Sequence, residues 1–137
     1  MPIVVDASVA LAWCFKDEAT PSTDAVLDQV ARDTAVVPSV WELEVVNALL
    51  VAERRARVTE FQVGRSIRLL GELPIVVDLT PTDLRTVAAA GQRHRLSAYD
   101  ATYLVLAERD GLPLATLDED LRAAAGNAGV PLVIGPG

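Results

Sequence analysis

The sequence has 137 residues, of which 51% are hydrophobic and only 4% aromatic, and it carries a formal net charge of −7. A chain of this length buries about two thirds of the surface that its unfolded form exposes, so it needs neither a disulfide nor a metal merely to fold. The negative charge excludes a general basic field for nucleic acid or acidic membrane, so a polyanion would need a local basic patch or bound cations. The single cysteine, Cys14, excludes an intrachain disulfide and fits a reducing cytosol.

The beginning of the chain, MPIVVDAS, has no basic region and reaches an acid at position 6, which is not typical of a signal peptide. No apolar run approaches the roughly 20 residues of a membrane span. We therefore expect a soluble, cytoplasmic protein without a membrane partner.

Short apolar strands alternate with helices along the chain. Strands are expected at residues 3–5, 35–37, 75–77, 112–117 and 131–134, and helices at 7–15, 21–33, 39–57, 59–73, 82–95, 97–109 and 118–127. Continuous apolar strands in this alternation predict a parallel sheet of about five short strands with helices on both faces. The expectation is one three-layer α/β/α domain over residues 1–137, with a frayed tail at 135–137.

Two helix starts carry the S/T-x-x-E/Q pattern of a capping box. Ser39 and Glu42 form one, and Thr59 and Gln62 form the other. In this motif the hydroxyl accepts from the amide three residues on, and the longer side chain reaches back to the cap amide. The pattern gives Glu42 a local role at the helix start.

Glu44, two residues further on, has no such local role. Its helical neighbours at three and four residues include no cation, so no salt bridge within the helix is available; they are Val40, Trp41, Asn47 and Ala48. A carboxylate on a face that should pack is costly unless something pairs with it. Glu44 is therefore a candidate functional residue.

Three aspartates share the neighbourhood expected for Glu44. Asp6 follows the first strand, Asp118 follows the strand at 112–117, and Asp100 lies in the first turn of the helix before that strand. Ligands of open α/β sheets bind outside the carboxyl ends of the strands, so all four acids could face one crevice. Ligands that are all oxygen suit a hard cation, Mg²⁺ or Mn²⁺, rather than zinc.

Each aspartate also has an ordinary structural interpretation as a helix cap. Asp6 and Asp118 could each be an N-cap, and Ser97 with Asp100 forms another S-x-x-D pattern. Glu44 resists this interpretation because it lies within a helix. Buried without a cation, it would have a raised pKa and stay protonated, whereas a shared divalent ion would keep all four acids ionised.

Five arginines form the only local basic feature of the sequence, and they are Arg54, Arg55, Arg57, Arg65 and Arg68. They could be a solvated helix end, where cations suit the helix dipole, or a contact for phosphates or a partner. The same region carries apolar residues at helical spacing, from Phe61 to Leu73. This stripe could cover the domain's own core or a surface shared with another chain. Both pairs of alternatives stay open.

Four motifs, in order, carry a family resemblance: V-V-D-A-S, P-S-V-W-E-L-E-V-V-N-A-L, Y-D-A-T-Y-L-V-L-A and L-A-T-L-D-E-D-L. Together they resemble the PIN-domain ribonucleases, above all the small single-domain toxins of VapBC toxin–antitoxin modules. The resemblance spans nearly the whole chain. It implies a PIN-like domain with endoribonuclease activity that depends on Mg²⁺ or Mn²⁺.

The resemblance also implies site residues and partners. The acidic quartet of the family falls on Asp6, Glu44, Asp100 and Asp118 as catalytic and metal-binding residues, with Ser8, Asn47 and Thr116 in supporting positions. The implied partners are an RNA substrate, a second copy in a homodimer, and a VapB-type antitoxin whose tail blocks the site. No histidine or lysine is placed to act as a base, so the attacking water would be activated by metal.

Two other classes of function remain. A receiver-type phosphoacceptor domain would have adjacent acids after the first strand and a lysine near the last, but Ala7 follows Asp6 and the C-terminal third has no lysine. A module that keeps the acids and binds RNA or protein without cutting it remains open.

Overall fold

The computed structural model describes residues 1–134 of the chain. Within them the strands are β1 (Ile3–Val5), β2 (Ala35–Pro38), β3 (Ile75–Asp78) and β4 (Leu114–Ala115). The helices are α1 (Ala7–Cys14), α2 (Pro21–Arg32), α3 (Val40–Arg54), α4 (Glu60–Gly71), α5 (Leu84–His94), α6 (Ala98–Asp110) and α7 (Glu119–Ala128). The tail predicted at 135–137 lies outside the described residues.

The four strands form one parallel sheet in the order β3-β2-β1-β4. The residues of β1 are buried on both faces: Val4 packs with side chains of α3, α6 and α7, whereas Ile3 and Val5 pack with those of α2. A strand that is apolar throughout needs such cover on both sides. The predicted α/β architecture with a parallel sheet between helices is confirmed.

The fifth predicted strand, at 131–134, is reduced to a single parallel bridge between Leu114 and Leu132. Its neighbour β4 has only two residues rather than the predicted six, because the chain turns towards Asp6 at Thr116. The carbonyl of Ile134 accepts from Arg122 Nη1 at 2.7 Å instead of from a strand. In the described part of the chain the sheet therefore has four strands rather than about five.

The two predicted capping boxes have different outcomes. Thr59 and Gln62 form theirs, with Gln62 N–H donating to Thr59 Oγ1 at 3.1 Å and Thr59 N–H donating to Gln62 Oε1 at 2.8 Å. The box at Ser39 and Glu42 is wrong. Ser39 has helical dihedrals (φ −59°, ψ −27°) and its side chain makes no cap hydrogen bond, whereas an N-cap needs a non-helical backbone.

Among residues 1–134, no helix combines the length and the apolar character needed to cross a bilayer.

Candidate active site

Asp6 lies directly after β1 and is only 4% exposed. Its Oδ2 accepts hydrogen bonds from Ser8 Oγ at 2.8 Å and from Thr116 Oγ1 at 2.7 Å. Asp6 occupies the N-cap position of α1, but its side chain makes no cap hydrogen bond. The capping interpretation of Asp6 is therefore wrong, and its carboxylate is held by hydroxyl groups from both strand ends.

The turn after β4 is tied to the end of β1 through the same two hydroxyls. Thr116 Oγ1 also accepts from the Asp118 N–H at 3.0 Å, and Ser8 Oγ accepts from the Leu117 N–H at 3.0 Å. Asp118 caps α7, since its Oδ2 accepts from the Leu121 N–H at 2.8 Å. Asp118 thus keeps the ordinary structural role and still lies beside Asp6.

Glu44 lies half-buried on α3, and its partner is a tyrosine rather than a cation. Tyr103, which has no exposed surface, donates from its hydroxyl to Glu44 Oε1 at 2.6 Å. Burial, the bond to Glu44 and the charge of Asp6 raise the pKa of Tyr103 well above its ordinary value, so it stays a donor. Sequence reasoning missed Tyr103. The signal was its place one helical turn after Asp100, because a buried tyrosine hydroxyl seeks an acceptor.

Asp100 lies half-buried in the first turn of α6. Its backbone N–H donates to Ser97 Oγ at 3.1 Å, so Ser97 caps the helix as predicted. This bond uses the amide of Asp100 and not its carboxylate. The Asp100 side chain also interacts with Ser97, and it lies close enough to Asp118 and Asp6 for their charges to raise its pKa.

The four acids act on one another electrostatically. Burial raises the pKa of Asp6, opposed by the hydrogen bonds from Thr116 and Ser8, and the charge of Asp118 raises it further. Burial also raises the pKa of Glu44, opposed by the Tyr103 bond, with added effects from Asp6 and Asp100.

The pKa of Asp100 is raised by burial first, and then by the charges of Asp118 and Asp6. Within residues 1–134, none of the ion pairs involves any of the four acids. The structure thus gathers Asp6, Glu44, Asp100 and Asp118 into one region of uncompensated negative charge.

A divalent cation fits the chemistry of this region. All available donors are carboxylate and hydroxyl oxygens, which Mg²⁺ and Mn²⁺ prefer, and a cation would relieve the mutual repulsion. However, in the described part of the chain no three acidic, histidine or cysteine side chains converge closely enough to form a ready metal-binding group. Binding would need the carboxylates to move together or to act through water.

The other predicted site residues are less tightly placed. Ser8 and Thr116 lie at the site, as described above, whereas Asn47 is exposed on α3. The supporting role of Asn47 stays a prediction.

The predicted arginine cluster divides into two kinds. Arg57 is engaged within the chain: it pairs with Asp17 at 3.0 Å and Glu18 at 3.5 Å and lies over the Phe15 ring, 4.4 Å from its centroid. The remaining four are exposed like Arg57 but form no ion pair within residues 1–134, and they are Arg54, Arg55, Arg65 and Arg68.

A groove of about 660 Å³ joins part of this cluster to the site. Its lining includes Ser8 and Leu117 from the site and Arg55 and Arg57 from the basic cluster. A larger cavity of about 820 Å³, between α5, α6 and the loop after β3, is lined by none of the four acids. None of the four acids lines the groove either, but the groove adjoins the site through Ser8, whose hydroxyl donates to Asp6.

Known proteins of one family are similar to this chain. A family model described as the PIN domain matches residues 3–127. Ribonuclease VapC12 of Mycobacterium tuberculosis is 30% identical over 132 residues, covering 96% of this chain and 98% of that protein. Ribonuclease VapC3 of the same organism is 31% identical over 124 residues, covering 89% of this chain and 86% of that protein.

Solved structures show the same fold. The crystal structure of a protein from Pyrobaculum aerophilum superposes with a TM-score of 0.72 at 26% identity, covering 97% of this chain and 84% of that one. A chain of a toxin–antitoxin complex from Klebsiella pneumoniae superposes with a TM-score of 0.66 at 16% identity. The superposition covers 99% of this chain and 100% of that one. The chain therefore belongs to the PIN-domain family, and its relatives within that family are VapC-type ribonucleases.

Proposed function

We propose that this protein is a metal-dependent endoribonuclease that acts as the toxin of a toxin–antitoxin pair and hydrolyses RNA phosphodiester bonds. The observation that carries the proposal is the uncompensated cluster of Asp6, Glu44, Asp100 and Asp118. Asp6, Glu44 and Asp100 have raised pKa values, and such shifts in neighbouring groups of like charge occur mainly where function requires them. The ribonuclease names of the relatives supply the reaction class.

Each acid has a distinct role in the proposal. Asp6, fixed by two hydroxyls, and Asp100 are assigned as direct ligands of Mg²⁺ or Mn²⁺. Glu44 and Asp118 complete the site, either as ligands or by orienting the attacking water. When bound, the cation would neutralise the charge of the scissile phosphate. It would also lower the pKa of its bound water towards neutral pH. The described residues place no histidine or lysine among the four acids to take that role.

RNA would reach the site through the groove that connects it to the basic cluster. Because the chain has a net charge of −7, phosphates need local cations for binding. Arg55 lines the groove and is exposed, so it is the first choice for a phosphate contact. The internal ion pairs of Arg57 make it a weaker candidate.

The proposed partners are a VapB-type antitoxin and a second copy of this chain, in the cytoplasm where the RNA is found. Part of the α4 stripe supports an intermolecular surface: Val63 and Leu70 are buried, whereas Phe61 is 71% exposed and Ile67 is 49% exposed. An antitoxin could place a basic side chain among the four acids and stand in for the cation.

The alternative is a PIN-like module that binds RNA or protein without cutting it. The absence of a ready metal-binding group within residues 1–134 favours it. The receiver-type interpretation is set aside because the chain belongs to the PIN-domain family.

Cleavage of total RNA separates the enzyme from the binding module. Wild-type protein should cut RNA with Mg²⁺ or Mn²⁺ and stop cutting in EDTA, and Glu44→Gln should abolish cleavage while the fold is retained. Glu42→Gln is the matched control, since Glu42 lies on the same helix and is exposed. If purified wild-type protein leaves RNA intact with either ion, the enzymatic proposal fails.

A further inference from the structure

Among residues 1–134, Tyr103 is the one fully buried side chain that bonds to any of the four acids from another helix. Tyr103 is on α6 and Glu44 on α3, and the 2.6 Å bond between them spans 59 residues of sequence. Asp100 lies on the same helix, three residues before Tyr103. A single hydroxyl therefore links the helix that carries Asp100 to the helix that carries Glu44.

The two carboxylate oxygens of Glu44 differ in their hydrogen bonding. Oε1 accepts from Tyr103, and Oε2 makes no hydrogen bond within residues 1–134. A hydrogen bond from a buried donor to one oxygen restricts the rotation of the carboxylate and leaves the other oxygen available. Tyr103 has no exposed surface and belongs to the main hydrophobic core, where close packing restricts the movement of its ring.

We infer that Tyr103 is a positioning residue of the active site: its hydroxyl holds Glu44 Oε1 so that the other oxygen points towards Asp6 and Asp100. Tyr103 does not touch substrate and is not a catalytic residue. The inference rests on the proposed function for its effect on cleavage, but the bond itself can be tested without RNA or metal.

Tyr103→Phe removes only the hydroxyl, and the chain offers a matched control. Tyr99 lies one helical turn earlier on α6 and is 61% exposed, so Tyr99→Phe removes the same atom from the same helix without reaching Glu44. We expect Tyr103→Phe to lower kcat for RNA cleavage by about tenfold or more, with KM little changed, since loss of a group that orients a site residue has effects of this size. Tyr99→Phe should match the wild type.

A thermal-melting cycle in metal-free buffer tests the bond independently of activity. Tyr103→Phe should lower Tm in the wild-type background, but not in a Glu44→Ala background, where the buried hydroxyl has lost its acceptor. Equal losses of Tm in both backgrounds would overturn the inference, as would a Tyr103→Phe enzyme that cuts RNA as fast as Tyr99→Phe. If the wild type itself does not cut RNA, the proposed function fails, and the melting cycle still decides whether Tyr103 holds Glu44.

Discussion

The tetrapeptide Ile-Val-Val-Asp occurs twice in this chain, at residues 3–6 and at 75–78, and both copies enter the same parallel sheet. In both, a hydroxyl two residues later donates to the aspartate: Ser8 Oγ to Asp6 at 2.8 Å, and Thr80 Oγ1 to Asp78 at 3.0 Å. The local chemistry of the two strand ends is thus the same.

Their surroundings give the two aspartates opposite electrostatics. Asp78 lies on the edge strand β3 and pairs with Arg109 Nη1 at 3.1 Å, and this hydrogen bond lowers its pKa. Asp6 lies beside the central strand β1 among other acids, and burial raises its pKa. An aspartate at a strand end becomes a candidate site only where the fold withholds a cation from it.

The largest expected difference between the two copies is in RNA cleavage. Asp6→Asn should lower the cleavage rate by about 100-fold or more, because it removes a charge from the site where the cation acts. Asp78→Asn should cut RNA like the wild type, because within residues 1–134 neither Asp78 nor its partner Arg109 bonds to any of the four acids. The cleavage rates of both variants can be measured on one labelled RNA at saturating Mg²⁺. Comparable losses of rate in the two variants would contradict the different roles of Asp6 and Asp78.

Divalent ions should stabilise the protein through Asp6, in the first copy of the tetrapeptide, and not through Asp78. An ion that binds only the native state raises stability by about 2.7 kcal/mol when its concentration is about 100 times Kd. Melting curves with and without millimolar Mn²⁺ should therefore differ for the wild type and for Asp78→Asn. EDTA should leave the protein folded, since the core does not depend on metal. Superimposable curves with and without the ion would count against a metal site.

The two copies also differ in how an arginine supports them. Arg109 contacts the carboxylate of Asp78 directly, whereas Arg122 Nη1 donates to backbone carbonyls, to Thr116 at 3.2 Å and to Ile134 at 2.7 Å. Arg122→Gln should lower the free energy of unfolding by about 1–3 kcal/mol by freeing these carbonyls. Chemical denaturation measures this free energy, and Arg32→Gln is the control because Arg32 is an exposed helical arginine. Equal stability of the two variants would show that the bonds of Arg122 do not stabilise the fold.

In metal-free buffer, the acids of the site and Asp78 should change the stability of the protein with pH in opposite directions. The native pKa values of Asp6, Glu44 and Asp100 are raised, so the folded protein binds more protons than the unfolded chain, and stability should rise as pH falls from neutral towards their ordinary values of 3.8 and 4.5. The pKa of Asp78 is lowered from 3.8, so its contribution is present above that value and is lost below it. A Tm that falls steadily from pH 7 downwards would contradict this order.

The smallest expected effect is at Glu42. Because Ser39 forms no capping box, Glu42→Gln should change the free energy of unfolding by no more than about 0.5 kcal/mol, as for other exposed positions. Denaturant unfolding at neutral pH checks this, and a loss of 1 kcal/mol or more would restore a capping role, about the size of a lost cap interaction.

The sequence predicted the parallel α/β architecture and the neighbourhood of the four acids, because both follow from strand order and from the rule that parallel strands end at one edge. It did not predict the Tyr103 bond to Glu44, which depends on how α3 and α6 pack across 59 residues. It also missed the helical backbone at Ser39, because capping patterns do not report dihedral angles. The pairing of Asp78 with Arg109 was not predicted either, because the two residues are 31 positions apart and meet only through the tertiary fold.

Calorimetric titration of Mn²⁺ into metal-free wild type, Asp6→Asn and Asp78→Asn tests the central claim most directly, namely that the uncompensated aspartate marks the metal site. We predict saturable binding to the wild type and to Asp78→Asn, with binding to Asp6→Asn weakened by about tenfold or more. Binding that is unchanged in Asp6→Asn, or lost in Asp78→Asn, would contradict the account.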